Sequence, residues 1–283
     1  MARRGSWRRR IVLVLTLAMV AGGIYTAVAF LQRSETLITE RCTASGGGSA
    51  DLATDQAANA ALITAVAVRR GLPARAASIA LATSMQESKL RNIGHGDQAG
   101  PDSRGLFQQR PSQGWGTAEQ VMDPYHASNA FYDALVKVSG YQSLEITDAA
   151  QRVQHSAYPG AYAQHEVMGR VFASALSGQT AAGLDCSLRA SDDAGDPALV
   201  QEGLTAAFGN IPASTDGSTL LVEAEGAQGW AVAQWAVANA KALSITAVQV
   251  DGRGWNRQTR DGWQSSQVPA GQVRVTVADA PAT

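Results

Sequence analysis

The stretch PARAASIALATSMQESKLR, residues 73–91, decides how this chain is read. Its Ala, Ile, Leu and Met recur at helical spacing, Pro73 suits a first helical turn, and Glu87 falls near the C-terminal end. The segment that follows, NIGHGDQAGPDSRGLFQQRPSQGWGTA (92–118), is dense in Gly, Pro, Asp, Asn and Ser and reads as a long loop with short turns. A long loop inside a compact domain is usually functional. A carboxylate at the end of an apolar helix, facing such a loop, is the first place to look for chemistry.

Working outward, DLATDQAANAALITAVAVRRG (51–71) reads as an Ala-rich helix on the upstream side. Downstream, helical patterns resume at 124–139, 147–155 and 159–177. The middle domain, residues 51–186, is therefore expected to be all-α. Residues 187–196, SLRASDDAGD, have linker composition. Beyond them, residues 197–283 mix helical patterns at 197–208 and 229–243 with an apolar run at 219–224 and a strictly alternating Val273, Val275, Val277. Asp251-Gly252 is a hairpin-turn signal. A small C-terminal α+β module is expected, with no function assigned to it. Four of the six tryptophans lie there: Trp230, Trp235, Trp255 and Trp263. Exposed, they would stack on sugars; buried, they build a small core, and the core character of the helix carrying Trp230 and Trp235 favours burial.

At the other end, IVLVLTLAMVAGGIYTAVAFL (11–31) carries no charge. About 20 apolar residues are what a helix needs to span a bilayer, so an N-terminal transmembrane helix is expected. The preceding basic tail, residues 1–10, holds Arg3, Arg4, Arg8, Arg9 and Arg10. By the positive-inside rule it stays in the cytoplasm, which makes the chain a single-pass protein of the cell membrane with its C-terminal domains outside. A cleaved signal peptide is the competing reading, but the apolar run exceeds the roughly 7–15 residues of a signal core and no clean A-x-A site follows. Residues 32–50, ending in TASGGGSA, read as a flexible linker. Cys42 and Cys186 lie in the exported part, where oxidation is permitted, and a disulfide between them is the natural reading.

Charge and motif content narrow the function. The net charge is −1, and setting aside the five arginines of the basic tail leaves −6 for the rest, which argues against nucleic acid as a partner. His95, His126, His155 and His165 show no metal-ligand spacing. Neither a G-x-S-x-G elbow, a phosphate loop nor a dinucleotide fingerprint is present, so neither metal nor cofactor is expected.

Cleaving a glycosidic bond requires a carboxylic acid still protonated near neutral pH, a state that apolar surroundings favour. Glu87 meets the requirement, although taken alone it also reads as an ordinary surface helix residue. Its neighbourhood changes the weight. The run Ser84-Met85-Gln86-Glu87-Ser88-Lys89-Leu90, followed 18 positions after the acid by Gly105-Leu106-Phe107-Gln108-Gln109, resembles the Glu-Ser and Gly-Leu-Met-Gln motifs of the soluble lytic transglycosylase and goose-type lysozyme superfamily. Farther on, Ala157-Tyr158-Pro159-Gly160-Ala161-Tyr162-Ala163 resembles the late tyrosine motif of lysozyme-like domains in actinobacterial wall and phage-tail proteins. The resemblance covers about residues 51–178.

What the resemblance implies is a lysozyme-like domain that binds peptidoglycan glycan strands and acts as a lytic transglycosylase. Glu87 would be the single general acid/base: it protonates the glycosidic oxygen between N-acetylmuramic acid and N-acetylglucosamine, then takes the proton of the muramyl 6-hydroxyl, giving a 1,6-anhydro product. The substrate's own N-acetyl group can stabilise the developing positive charge, so no carboxylate nucleophile is needed. Ser88, Gln108, Tyr158 and Tyr162 would form the substrate side of the site. Ser88 would orient the acid, Gln108 would contact sugar or line the cleft, and Tyr162 would hydrogen-bond near the carboxyl group, or else serve only as a core tyrosine. Phe107 stands where the family often has Met. Asp97 and Asp102 lie in the right loop to act as a second carboxylate, which would make the protein a true muramidase, but HGDQAGPDS also suits a plain turn. The rival to an enzyme is a scaffold in a secretion or conjugation assembly that grips glycan without cutting it.

Overall fold

The computed structural model describes residues 14–26, 38–96, 98, 100–155 and 159–279. The chain divides into two compact units, Met1–Thr39 and Glu40–Thr283. In the first, residues 14–26 are helical and exposed. Among the described residues no helix is long and apolar enough to cross a membrane, which corrects the expected transmembrane element. The ends of the expected 11–31 span fall outside the described residues.

The second unit corrects the all-α expectation as well, because it is a mixed α/β fold with two antiparallel sheets. It opens with β1 (Arg41–Ser45) and β2 (Ser49–Leu52), which pair with each other and, across the helices, with β3 (Leu184–Ser187) in the order β2-β1-β3. The Gly-rich run that reads as a spacer is the tip of this hairpin. Gly46 and Gly47 turn it with φ of +137° and +68°, values that favour glycine. Cys42 stands directly opposite Cys186 in the β1–β3 register, and the two form a disulfide with their Cα atoms 4.0 Å apart. The helical part of the chain therefore leaves and returns to one small sheet.

Between those strands lie α1 (Thr54–Arg69), α2 (Ala74–Ser88), the short α3 (Ala118–Met122), α4 (Pro124–Leu135), α5 (Ile146–Gln154) and α6 (Glu166–Leu176). Helix α2 is the hub: Ala76 through Ser84 are all buried, so it carries no solvent stripe until its last turn. It packs most extensively on α6. The approach is close because α6 presents Gly169, where a Cβ would lie 2.6 Å from the Ser78 carbonyl oxygen.

After α7 (Pro197–Phe208), the strands β4 (Ala213–Asp216), β5 (Thr219–Glu223), β6 (Ile245–Val250), β7 (Arg253–Asn256), β8 (Gln264–Ser265) and β9 (Gln272–Val277) form a six-stranded sheet in the order β4-β5-β9-β6-β7-β8. Val273, Val275 and Val277 point from β9 into the core, as their alternation predicts. Asp251 and Gly252, at φ +47° and +70°, make the two-residue turn between β6 and β7.

Helix α8 (Gly226–Ala238) joins the two halves. Gly229 through Ala238 are buried, because the helix lies between the sheet and helices α1 and α6. Its one buried polar side chain, Gln234, is fully hydrogen-bonded to the helical half. It accepts from the Leu184 N–H (2.8 Å) and donates to the carbonyls of Ala175 (2.7 Å) and Thr180 (3.0 Å). Trp230, Trp235 and Trp255 are buried core residues, and the Trp263 indole donates to the Leu184 carbonyl at 2.7 Å.

Beside that contact, the Trp255 indole donates to Asp185 Oδ1 at 2.9 Å. Burial raises the Asp185 pKa, with the Trp255 and Cys186 hydrogen bonds opposing it. The folded state thus holds this proton more tightly than the unfolded chain does. The linked stability is present below the ordinary carboxyl pKa of 3.8 and is lost as pH rises through the raised folded value. Asp185→Asn keeps an acceptor for Trp255 and removes the charge. Its melting temperature at pH 7 should exceed the wild type's, with the gap closing towards about pH 4. A gap that instead widens on acidification would contradict this account.

Candidate active site

The last turn of α2 is shaped by an unusual exit. Lys89 and Leu90 both adopt left-handed backbone conformations, φ +57° and +54°, and their N–H groups close back on the Met85 and Ser84 carbonyls. This ends the helix just past Glu87 and turns the chain into the loop that follows. Glu87 is half-buried there.

Two serines fasten the loop to the helix end. The hydroxyls of Ser84 and Ser88 both donate to the Leu106 carbonyl, at 2.9 and 2.7 Å. Ser88 also donates to the Ser84 carbonyl at 3.1 Å. The structure thus places Ser88 under the Gly-Leu-Phe-Gln turn, holding backbone to backbone, where the family resemblance would have it orient the acid directly. The turn is closed by the bridges Ile93–Gly105 and Arg104–Gln109. Phe107 is fully buried and stacks on Phe131, ring centroids 4.6 Å apart, while Gln154 donates to the Phe107 carbonyl at 2.9 Å. Gln108 sits at φ +49° and its side-chain amide bonds back to the Gly105 carbonyl at 3.3 Å, within its own turn.

Gly105 is the residue this turn cannot exchange. Its φ is +77°, and a Cβ there would come within 2.1 Å of the Val121 carbonyl oxygen. Backbone cannot yield as a flexible side chain does, so Gly105→Ala should cost about 2–4 kcal/mol, read as a lowered denaturation midpoint with unchanged slope. A variant as stable as wild type would show that the turn relaxes.

On the far side of Glu87 runs the 3-10 segment Pro159–His165. Tyr162 on it is fully buried, and its hydroxyl donates to Glu87 Oε1 at 2.7 Å. The structure therefore brings together Glu87, Tyr162, Ser88 and the Gly105–Gln109 turn. Tyr158 and Asp97 lie outside the described residues.

Asp102, the other candidate carboxylate, is a turn residue. Ser112 N–H donates to its Oδ2 at 3.0 Å and Arg110 Nε to its Oδ1 at 2.9 Å. The Ser112 hydrogen bonds and the Arg110 guanidinium hold its pKa well below the usual carboxylate range. Both oxygens are engaged within the loop, so Asp102 shapes the loop. Among the described residues no group of three or more His, Cys, Asp or Glu side chains is placed to hold a metal ion.

One feature of the site escapes the sequence. Gln86 Oε1 lies 3.0 Å from His165 Nε2 and accepts from Gln164 Nε2 at 3.2 Å. In the tautomer with its proton on Nε2, His165 donates to Gln86 Oε1. Burial, and then the nearby Lys89, lower the His165 pKa. Only the adjacency of Gln86 to Glu87 and the nearness of Gln164 and His165 to Tyr162 hinted at this lacing. Compared with protein-family models and with curated proteins, the chain matches neither.

Proposed function

We propose that this protein cleaves peptidoglycan glycan strands as a lytic transglycosylase, with Glu87 as its single general acid/base. The observation that carries the reading is the hydrogen bond from Tyr162 to Glu87, which joins the Glu-Ser and late-tyrosine motifs in one place. The third motif supports it through the paired serine bonds to Leu106. A buried phenol bonded to Glu87 orients the carboxyl group before substrate arrives, and preorganisation of this kind is what proton transfer in a glycosidase site needs.

In this reading Glu87 gives its proton to the leaving glycosidic oxygen, and the N-acetyl group of the substrate stabilises the positive charge that develops at the anomeric carbon. Glu87, now a carboxylate, takes the proton of the 6-hydroxyl as that oxygen closes the anhydro ring, and so returns to its starting state. The engagement of Asp102 by Ser112 and Arg110 favours this one-acid route over hydrolysis with Asp102 as partner. The Cys42–Cys186 disulfide supports a location outside the cytoplasm, where both oxidation and glycan strands are found.

The test is mass spectrometry of purified cell wall incubated with the full-length protein. Release of 1,6-anhydro-muropeptides supports the proposal. Reducing-end muropeptides would show a muramidase, and wall that is bound but left intact would show a glycan-binding scaffold.

A further inference from the structure

Resting on that reading, we propose that Gln86 is a positioning residue for Glu87, acting through the Pro159–His165 segment and Tyr162. Hydrogen bonds among the described residues lace this segment to the last turn of α2, from Tyr162 to Glu87 and from Gln164 and His165 together to Gln86. Two of them end on a single oxygen, Gln86 Oε1. The opposite end of the join is also held, since Arg75 at the start of α2 contacts Glu166 Oε1 at 3.4 Å and the Leu144 carbonyl at 2.6 Å. The Arg75 contact fixes where α6 begins; Gln86 fixes how the 3-10 segment lies along the helix end.

The consequence falls on the acid. Tyr162 is fully buried, so its hydroxyl reaches Glu87 only while its backbone keeps its place. Hydrogen bonds lose strength steeply beyond about 3.2 Å, and a shift of the segment by an ångström would break a 2.7 Å contact. Without the Gln86 acceptor, Gln164 and His165 lose a shared partner within three residues of Tyr162. Gln86 thereby sets the orientation of its neighbour's carboxyl group without touching the substrate.

The experiment uses full-length protein carrying glutamate labelled with 13C at the side-chain carboxyl, with the Glu87 signal assigned by its loss in Glu87→Gln. Gln86→Met, close in size but lacking the acceptor, is expected to move the Glu87 signal to the position it takes in Tyr162→Phe. Gln86→Glu, which keeps an acceptor for both donors, should leave it nearer the wild-type position. In wall-cleavage assays Gln86→Met should lower kcat at least tenfold with KM within about threefold and the melting temperature unchanged, and Gln86→Glu should restore part of the loss. The proposal is overturned if the Gln86→Met signal stays at the wild-type position in a folded protein. It is equally overturned if KM rises while kcat holds, because Gln86 would then bind substrate directly. Failure of the functional reading shows differently: wild-type protein leaves the wall uncut while the carboxyl signal still responds to Gln86→Met.

Discussion

Glu87→Gln is expected to abolish release of 1,6-anhydro-muropeptides, by 10³-fold or more, while the protein keeps its fold and its grip on the wall. The substitution preserves size and leaves an oxygen to accept from Tyr162, so the hydrogen bond to the buried phenol can persist. What is removed is the exchangeable proton. General acid–base groups typically contribute about 10²–10⁴-fold, and a residue that serves as both acid and base in one turnover should sit at the upper end of that range. Tyr162→Phe should cost less, because the carboxyl group remains and only its orientation is freed. The decisive comparison is product formation at saturating wall substrate beside a binding assay on the same preparation. Undiminished cleavage by Glu87→Gln would remove Glu87 from the mechanism.

Replacing both cysteines, Cys42→Ser with Cys186→Ser, is expected to give the largest loss of stability of any change away from the site. The bridge joins residues 144 apart in sequence. In the chain-entropy description a loop of that length loses about 5 kcal/mol of unfolded-state freedom, and measured losses on removing native disulfides are about 2–5 kcal/mol. For a chain of this size that corresponds to a fall in Tm of roughly 5–20 °C. Antiparallel pairing of β1 with β3 remains, so the variant should fold at low temperature and show native circular dichroism. A fall below 2 °C would mean that the strands alone hold the helical segment closed.

The parts of the fold legible in the sequence are those set by local pattern. Helix α2 was readable because its apolar residues recur at helical spacing, and β9 because Val273, Val275 and Val277 alternate. Asp251-Gly252 announced its hairpin because few residue pairs tolerate two successive positive φ angles. The β1–β2 hairpin was illegible for the opposite reason. TASGGGSA has the composition of a flexible spacer, and Thr43 and Ala44 are strand residues because they pair on one side with Asp51 and Ala50 and on the other with Asp185 and Leu184, far along the chain. That non-local pairing is why the expected all-α domain is a mixed one.

In the candidate site, the place of Glu87 near a helix end was legible from the pattern around it. The reach of Ser88 to Leu106 was not, since a serine hydroxyl near a helix terminus has local acceptors and only the folded loop brings the Leu106 carbonyl beside it. Gln86 carried no signal of its own because glutamine is ordinary on a helix surface. Helix α8 read correctly as core, but an all-apolar helix does not say on how many sides it is covered. Besides its apolar packing, the buried Gln234 ties it to the helical half by hydrogen bonds.

The pairing of Cys42 with Cys186 also determines how the molecule carries a mechanical load. Everything from Thr43 to Asp185, Glu87 and its loop included, is a covalent detour that starts and ends at two Cα atoms 4.0 Å apart. Tension applied between Glu40 and the six-stranded sheet passes through the sulfur–sulfur bond and bypasses that detour. Pulled at both ends, the chain keeps its helical segment slack.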